Sequence, residues 1–194
     1  AGNSIYWNGM PHSGVQLKLD RSGKVTVFCG ATEIGQGSDD VLVSIVAEVL
    51  GIDPMMIRCV TGDTDLTPVD LGSYSSRVTL MMGNAAIQAA ERARDLISEA
   101  VAKKLDLPLE RIVFSDNRVF DAANPEQGLE FHKAVVCGEE MHGTLGTTGS
   151  YAPPEPPGKY KGGGVGPSPA YSFSAAIVEL DVDDVTGWIN VERV

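Results

Sequence analysis

Residues 78–105 read as one long helix, and its composition restricts what the rest of the chain can do. Alanines stand in pairs at Ala85-Ala86 and Ala89-Ala90, a glycine lies at Gly83, and Pro108 follows the end. Alanine favours helix, whereas proline marks where one stops. Small residues on a helix face let another backbone pack closely against it. Gly83 lowers helix propensity and serves the same close approach.

The other elements follow from periodicity. Val15-Gln-Leu-Lys-Leu19 alternates apolar and polar, Asp20-Arg-Ser-Gly23 supplies turn chemistry, and Val25-Thr-Val-Phe-Cys29 alternates again, which predicts a β-hairpin. A similar pattern closes the chain, from Ala176-Ile-Val-Glu-Leu-Asp-Val182 through Asp183-Asp184 and Gly187 to Trp188 and beyond. Ser38 to Leu50 places Val41, Leu42, Ile45, Val46, Val49 and Leu50 at helical spacing. Ser38 is the expected N-cap, Asp39 and Asp40 suit the first turn, and Gly51 stops the helix before Pro54. Strands are expected at residues 57–60, 112–114 and 118–120, with a turn at Asp116-Asn117 and a helix over residues 131–137. The class is α+β: mixed or antiparallel hairpins with two main helices. Three segments are expected: residues 1–151, a Pro/Gly-rich ordered loop at 152–169, and a terminal hairpin over 170–194.

The 194 residues carry 26 acidic against 15 basic side chains, a formal net charge of -11. That balance argues against sequence-independent nucleic-acid binding and against an anionic membrane surface. A local pocket can still hold a small anion. The cysteines Cys29, Cys59 and Cys137 are odd in number and widely spaced, so neither a disulfide framework nor a zinc site is expected and a reducing cytoplasm is. No apolar run approaches the roughly 20 residues of a membrane span. His12, His132 and His142 stand alone in the sequence and are read as structural.

Chemistry is expected where loops feed helix starts. Gly30-Ala-Thr-Glu-Ile-Gly-Gln-Gly-Ser38 lies between a strand and the first helix. Glycines 35 and 37 allow backbone shapes closed to other residues, Gln36 donates and accepts, and the helix start offers N–H donors. The stretch is either a tight turn capped by Ser38 or a cradle for a ligand lying along it. Asp39 and Asp40 disfavour a phosphate bound end-on. Leu71-Gly-Ser-Tyr-Ser-Ser-Arg-Val-Thr79 precedes the long helix. Arg77 there puts a cation at the positive end of the helix dipole, which either a bound anion or one of Asp63, Asp65 and Asp70 would neutralise. Asp63, Asp65 and Asp70 lack EF-hand spacing and read as a solvated acidic turn.

Three elements in order resemble the molybdenum hydroxylases, the xanthine oxidase and aldehyde oxidoreductase family. They are Gly30-Ala-Thr-Glu-Ile-Gly-Gln-Gly37, Gly72-Ser-Tyr-Ser-Ser-Arg-Val-Thr79 followed by Gly83-Asn-Ala-Ala, and Pro167-Ser-Pro-Ala-Tyr-Ser-Phe-Ser-Ala-Ala176. The resemblance covers essentially the whole chain, and its wording is most like the large subunit of 4-hydroxybenzoyl-CoA reductases. It implies a molybdopterin cofactor, in cytosine dinucleotide form, met by Ile34, Gly35, Gln36, Gly37 and Ser38 from the first loop. From the second it implies contacts by Tyr74, Ser75, Ser76, Arg77 and Thr79, with a cofactor diphosphate as the anion for Arg77. It also implies iron–sulfur and FAD partner chains and a small aromatic, aldehyde or acyl-CoA substrate.

One departure bears on activity. The family's catalytic glutamate belongs to a G-x-G-E element that this sequence lacks, so no residue here is assigned a catalytic role. With its start at Ala1 and its end at Val194 inside a strand pattern, the chain is expected to be a middle fragment, inactive alone. The alternative is a non-catalytic binding or assembly module, one piece of a naturally split subunit.

Overall fold

Alternation in the first hairpin does what it predicts. In the computed structural model, which describes residues 12–74, 76–153 and 175–194, β1 (Ser13–Leu19) and β2 (Val25–Cys29) pair antiparallel. Every second side chain, Val15, Leu17, Leu19, Val25, Val27 and Cys29, is buried on one face. Helix α1 (Ser38–Leu50) then carries the chain across that face, so that β3 (Ile57–Thr61) returns parallel to β2. A parallel neighbour needs such a crossover, since a tight turn can only reverse the chain.

The long helix α2 (Gly83–Leu105) completes the layer. Ala85, Ala86, Ala89, Ala90 and Ala93 have no exposed surface and face the sheet together with Leu42, Val46 and Leu50 of α1. The expected helix start at residue 78 proves to be a π-type turn, Val78–Met82, leading into the α-helix. The backbone that comes close to the alanines belongs to a strand with no signature in the sequence. This is β7 (Gly146–Tyr151), which joins the far side of β1 and completes the order β3-β2-β1-β7. A Cβ on Gly149 would stand 1.9 Å from the carbonyl oxygen of Ala85. Thr147 donates its hydroxyl to the Ala89 carbonyl at 2.7 Å, and Arg92 reaches the Thr148 carbonyl.

A second sheet, β4 (Ile112–Ser115), β5 (Arg118–Asp121) and β6 (Asn124–Glu130), leads into α3 (Phe131–His142), which packs on α2. The helix expected over residues 131–137 continues to His142, and β6 was not expected at all. Asp116 and Asn117 both take positive φ in the β4–β5 turn, and the Asn117 side chain accepts the Asp53 amide at 2.7 Å. The terminal hairpin, β8 (Glu179–Val182) and β9 (Ile189–Arg193), sets Leu180 opposite Val191 and Val182 opposite Ile189, all four exposed. The Pro/Gly-rich segment lies outside the described residues from position 154 onward. Among the described residues no helix is long and apolar enough to cross a membrane.

Candidate functional site

Because β2 and β3 run parallel, the segments that follow them leave the sheet on the same side. Residues 30–37 follow β2 and residues 62–77 follow β3. The carboxyl ends of parallel strands are where open α/β sheets gather their ligand loops. Here the loops are joined directly: Ser73 donates its hydroxyl to the Thr32 carbonyl at 2.6 Å and accepts the Thr32 amide at 3.0 Å. Between them lies a cavity of about 260 Å³ whose lining includes Gly30, Thr32, Gly62, Thr67, Pro68 and Asp70. Gly30 is held to glycine there, since a Cβ would lie 2.3 Å from the Pro68 carbonyl oxygen.

In the first loop the expected cap is corrected. Ser38 is the first residue inside α1, while Gly37 is the N-cap, at φ 77°, and offers no side chain. Glu33 does the capping. One of its carboxylate oxygens accepts the Gly35 amide at 2.6 Å and the Gly37 amide at 3.1 Å; the other accepts the Asp39 amide at 3.3 Å and the Ser38 hydroxyl at 3.2 Å. Desolvation pushes the Glu33 carboxyl up, but the amides of Gly37, Asp39 and Gly35 and the Ser38 hydroxyl prevail and pull it down to about 2. Gln36 folds back over the loop: its amide nitrogen donates to the Thr32 carbonyl and to Ser38 Oγ, and its oxygen accepts the Ile34 amide. Ile34 stands at the tip, 71% exposed, and Gly35, at φ 99°, has open space where a Cβ would point. Burial pushes the Asp39 carboxyl up; the Thr61 hydroxyl opposes this, and the charges of Glu33 and Asp40 add to it. Asp39 Oδ1 is buried without a hydrogen-bond partner among the described residues.

The second loop answers the question left open about Arg77. Its side chain is 2% exposed and its charge is met within the chain by Asp70, at 3.2 Å. Asp70 also accepts the Gly72 amide at 2.8 Å and the Ser13 hydroxyl at 2.6 Å, and Arg77 donates to the His12 carbonyl and to Ser13 Oγ. A buried network therefore ties the loop to β1. Of the two alternatives left open for Arg77, a bound anion or one of three acids, the structure shows the pairing with Asp70, with the guanidinium buried. The Tyr74 ring lies against Arg77, 5.6 Å from ring centre to guanidinium carbon. Ser76 is exposed at a positive φ of 55°, a shape that costs a non-glycine residue energy. Thr79 is exposed on the π-type turn, a helix irregularity frequent at functional sites. Ser75 lies outside the described residues. Glu33, Ser73 and Ser13 were not among the expected site residues. Glu33 had a visible signal as the acid inside a Gly-rich loop just before a helix, whereas Ser13 is distant in sequence and had none.

What these loops can hold follows from their chemistry. Arg77 is the only cation in the sequence of either loop, and it is committed to Asp70. The expected contact groups are uncharged: the bare backbone of Gly35, the exposed Gln36, the half-exposed Tyr74 and the exposed Ser76 and Thr79; Asp65 of the second loop is an exposed carboxylate. Such groups suit a flat heteroaromatic ring with hydrogen-bonding edges, such as a pterin.

The candidate site is thus a pair of loops joined at the parallel strand ends of a mixed sheet. The chain belongs to the molybdopterin cofactor-binding domain family, which matches residues 1–194, and within it to the xanthine dehydrogenase and aldehyde oxidoreductase type. The gamma subunit of the 6-hydroxypseudooxynicotine dehydrogenase complex of Paenarthrobacter nicotinovorans is 47% identical over 87 residues, 43% of this chain and 11% of that protein. The xanthine dehydrogenase molybdenum-binding subunit of Escherichia coli O157:H7 is 32% identical over 135 residues, 69% of this chain and 18% of that one. Among solved structures, quinoline 2-oxidoreductase from Pseudomonas putida 86 superposes with a TM-score of 0.67 at 27% identity, over 78% of this chain and 20% of that one. The chain thus spans a fifth or less of the length of these relatives.

Proposed function

We propose that this chain forms one part of the cradle for a molybdenum–pterin cofactor within a larger oxidoreductase subunit. The observation that carries the reading is the convergence of the 30–37 and 62–77 loops at the carboxyl ends of β2 and β3, tied through Thr32 and Ser73. Ile34, Gly35, Gln36, Gly37 and Ser38 on one side, and Tyr74, Ser75, Ser76 and Thr79 on the other, make the contact set. Arg77 acts from behind the second loop, through Asp70. When bound, the cofactor supplies the redox chemistry, and the chain's residues orient it and exclude water. A cytosine dinucleotide form would find its phosphate partners outside these two loops. The substrate is an aromatic acyl-CoA of the 4-hydroxybenzoyl-CoA kind, or an aromatic or aldehyde compound. Electrons pass to iron–sulfur and FAD partners in the cytoplasm. The 194 residues alone turn nothing over, since they contain no G-x-G-E element.

The test is the molybdenum and cytosine-nucleotide content of the whole molybdenum-binding subunit carrying Gln36→Ala with Thr79→Ala. Both contents are expected to fall together with activity. Wild-type content and activity would refute the contact set.

A further inference from the structure

Every helix start presents N–H groups that need an acceptor and a partial positive charge that favours an anion. At α1 the anion is internal. Three amides, of Gly35, Gly37 and Asp39, and the hydroxyl of Ser38 converge on the Glu33 carboxylate. This is how a bound phosphate or carboxylate sits at a helix N-terminus, with charge-assisted bonds from backbone amides. Here it arises from the chain itself, five residues upstream of the first helical residue. Asp39 and Asp40 follow immediately, so a second anion approaching this end would meet three carboxylates.

The grip on Glu33 extends to the groups that face outward. Ser38 Oγ, which donates to Glu33, also accepts from the Gln36 side-chain amide at 2.8 Å. Gln36 is thereby fixed at one end by the hydroxyl that Glu33 orients. Gly35 and Gly37 turn their amides inward to the carboxylate only by adopting φ of 99° and 77°. No atom lies within 4 Å of a Cβ built on either. Glycine at these positions thus answers to backbone shape, and the outer face of the loop stays open.

We propose that Glu33 is the positioning residue of this loop: its carboxylate occupies the anion position at the start of α1, sets the shape of Gly35, Gln36 and Gly37, and leaves a seat for an uncharged hydrogen-bonding ring while closing that end to phosphate. The part concerning the ring rests on the cofactor reading above; the closure to phosphate stands independently of it.

The experiment uses the isotope-labelled 194-residue chain, wild type, Glu33→Ala and Glu33→Gln, with inorganic phosphate as the probe. Amide shifts and hydrogen exchange are followed at Gly35, Gly37 and Asp39. In the wild type, phosphate moves none of the three. In Glu33→Ala their exchange rises about tenfold, and phosphate shifts the same amides and restores protection by entering the vacated position. Glu33→Gln keeps one acceptor oxygen and loses part of the protection; it carries the test should the alanine variant not fold. Wild-type amides that respond to phosphate as the variant's do, or protection unchanged in both variants, would overturn the proposal. Molybdenum content of the whole subunit is read separately. Normal content in a Glu33→Gln subunit whose loop amides have lost protection would leave the Glu33 lock standing and refute the cofactor reading instead.

Discussion

Replacing Gly149 with alanine should cost far more than the loss of one glycine suggests, and the structure sets the size. The new Cβ would lie 1.9 Å from the Ala85 carbonyl oxygen, 2.7 Å from the Ala89 nitrogen and 3.0 Å from the Ala85 carbonyl carbon. All three are helix backbone, so no rotamer can relieve the clash. To reach the roughly 3.3 Å of a close C–H···O contact, β7 and α2 must separate locally by about 1.4 Å. That opens the layer packed on Ala85, Ala86, Ala89 and Ala90 and strains the Thr147 bond to the Ala89 carbonyl. Overpacking in a well-filled core costs about 1–3 kcal/mol, and an immovable obstacle puts this case at ~3 kcal/mol or above. For a chain of this size each kcal/mol lowers Tm by about 2–4 °C, so a fall of ~6–12 °C is expected. Gly146→Ala is the control on the same strand: its Cβ would meet only the Leu17 carbonyl oxygen at 3.7 Å, an ordinary contact. Neither glycine has a positive φ, so backbone strain does not separate the two. Thermal unfolding followed by circular dichroism is the assay. A Gly149→Ala melting point equal to that of Gly146→Ala would refute the claim that close approach on the alanine face organises this layer.

Asp70→Asn should destabilise the chain by about 3–5 kcal/mol in urea unfolding, the usual cost of leaving one charge of a buried pair unpartnered. Adding Arg77→Gln should return part of that loss, with a coupling of about 1–3 kcal/mol, and simple additivity would show that the two charges do not interact. Stability should also fall in acid with a recognisable component from Glu33. Its carboxyl sits at about 2 in the fold, below the unfolded value of about 4.3, so its contribution is complete above that value and disappears as pH drops toward 2. Asp121, held down by its hydrogen bond to Arg111, acts in the same direction, whereas the raised carboxyl of Asp39 acts in the opposite one. Urea midpoints are expected to stay level from neutral pH to about pH 5 and decline below it, less steeply in Glu33→Gln; equal slopes in the two chains would remove Glu33 from the account.

Much of the architecture could be read along the chain because it rests on local rules. Alternation places β1 and β2, helical spacing places α1, and Asp116-Asn117 marks the turn between β4 and β5. The loops that form the candidate site were visible as well, as glycines and hydroxyls ahead of a helix start, a pattern that a tight capped turn shares. By contrast β6 and β7 were not. The segment Gly146-Thr-Thr-Gly-Ser-Tyr151 has no apolar face to announce it, and it is a strand because β1 offers a free edge and α2 a surface shallow enough to accept it.

The sequence by itself therefore determined the α+β class, the small-residue face that demands a close neighbour, and the family to which the two loops belong. Tertiary structure decided which neighbour that is, and which charges meet. Arg77 finds Asp70 and Ser13, seven and 64 residues away, and Ser73 finds Thr32, 41 residues away. Spacing along a chain cannot rank such partners, because desolvation and the crossing of strands choose among several carboxylates of equal sequence merit. For the same reason the sequence left Arg77 with several possible partners, and the fold pairs it with Asp70.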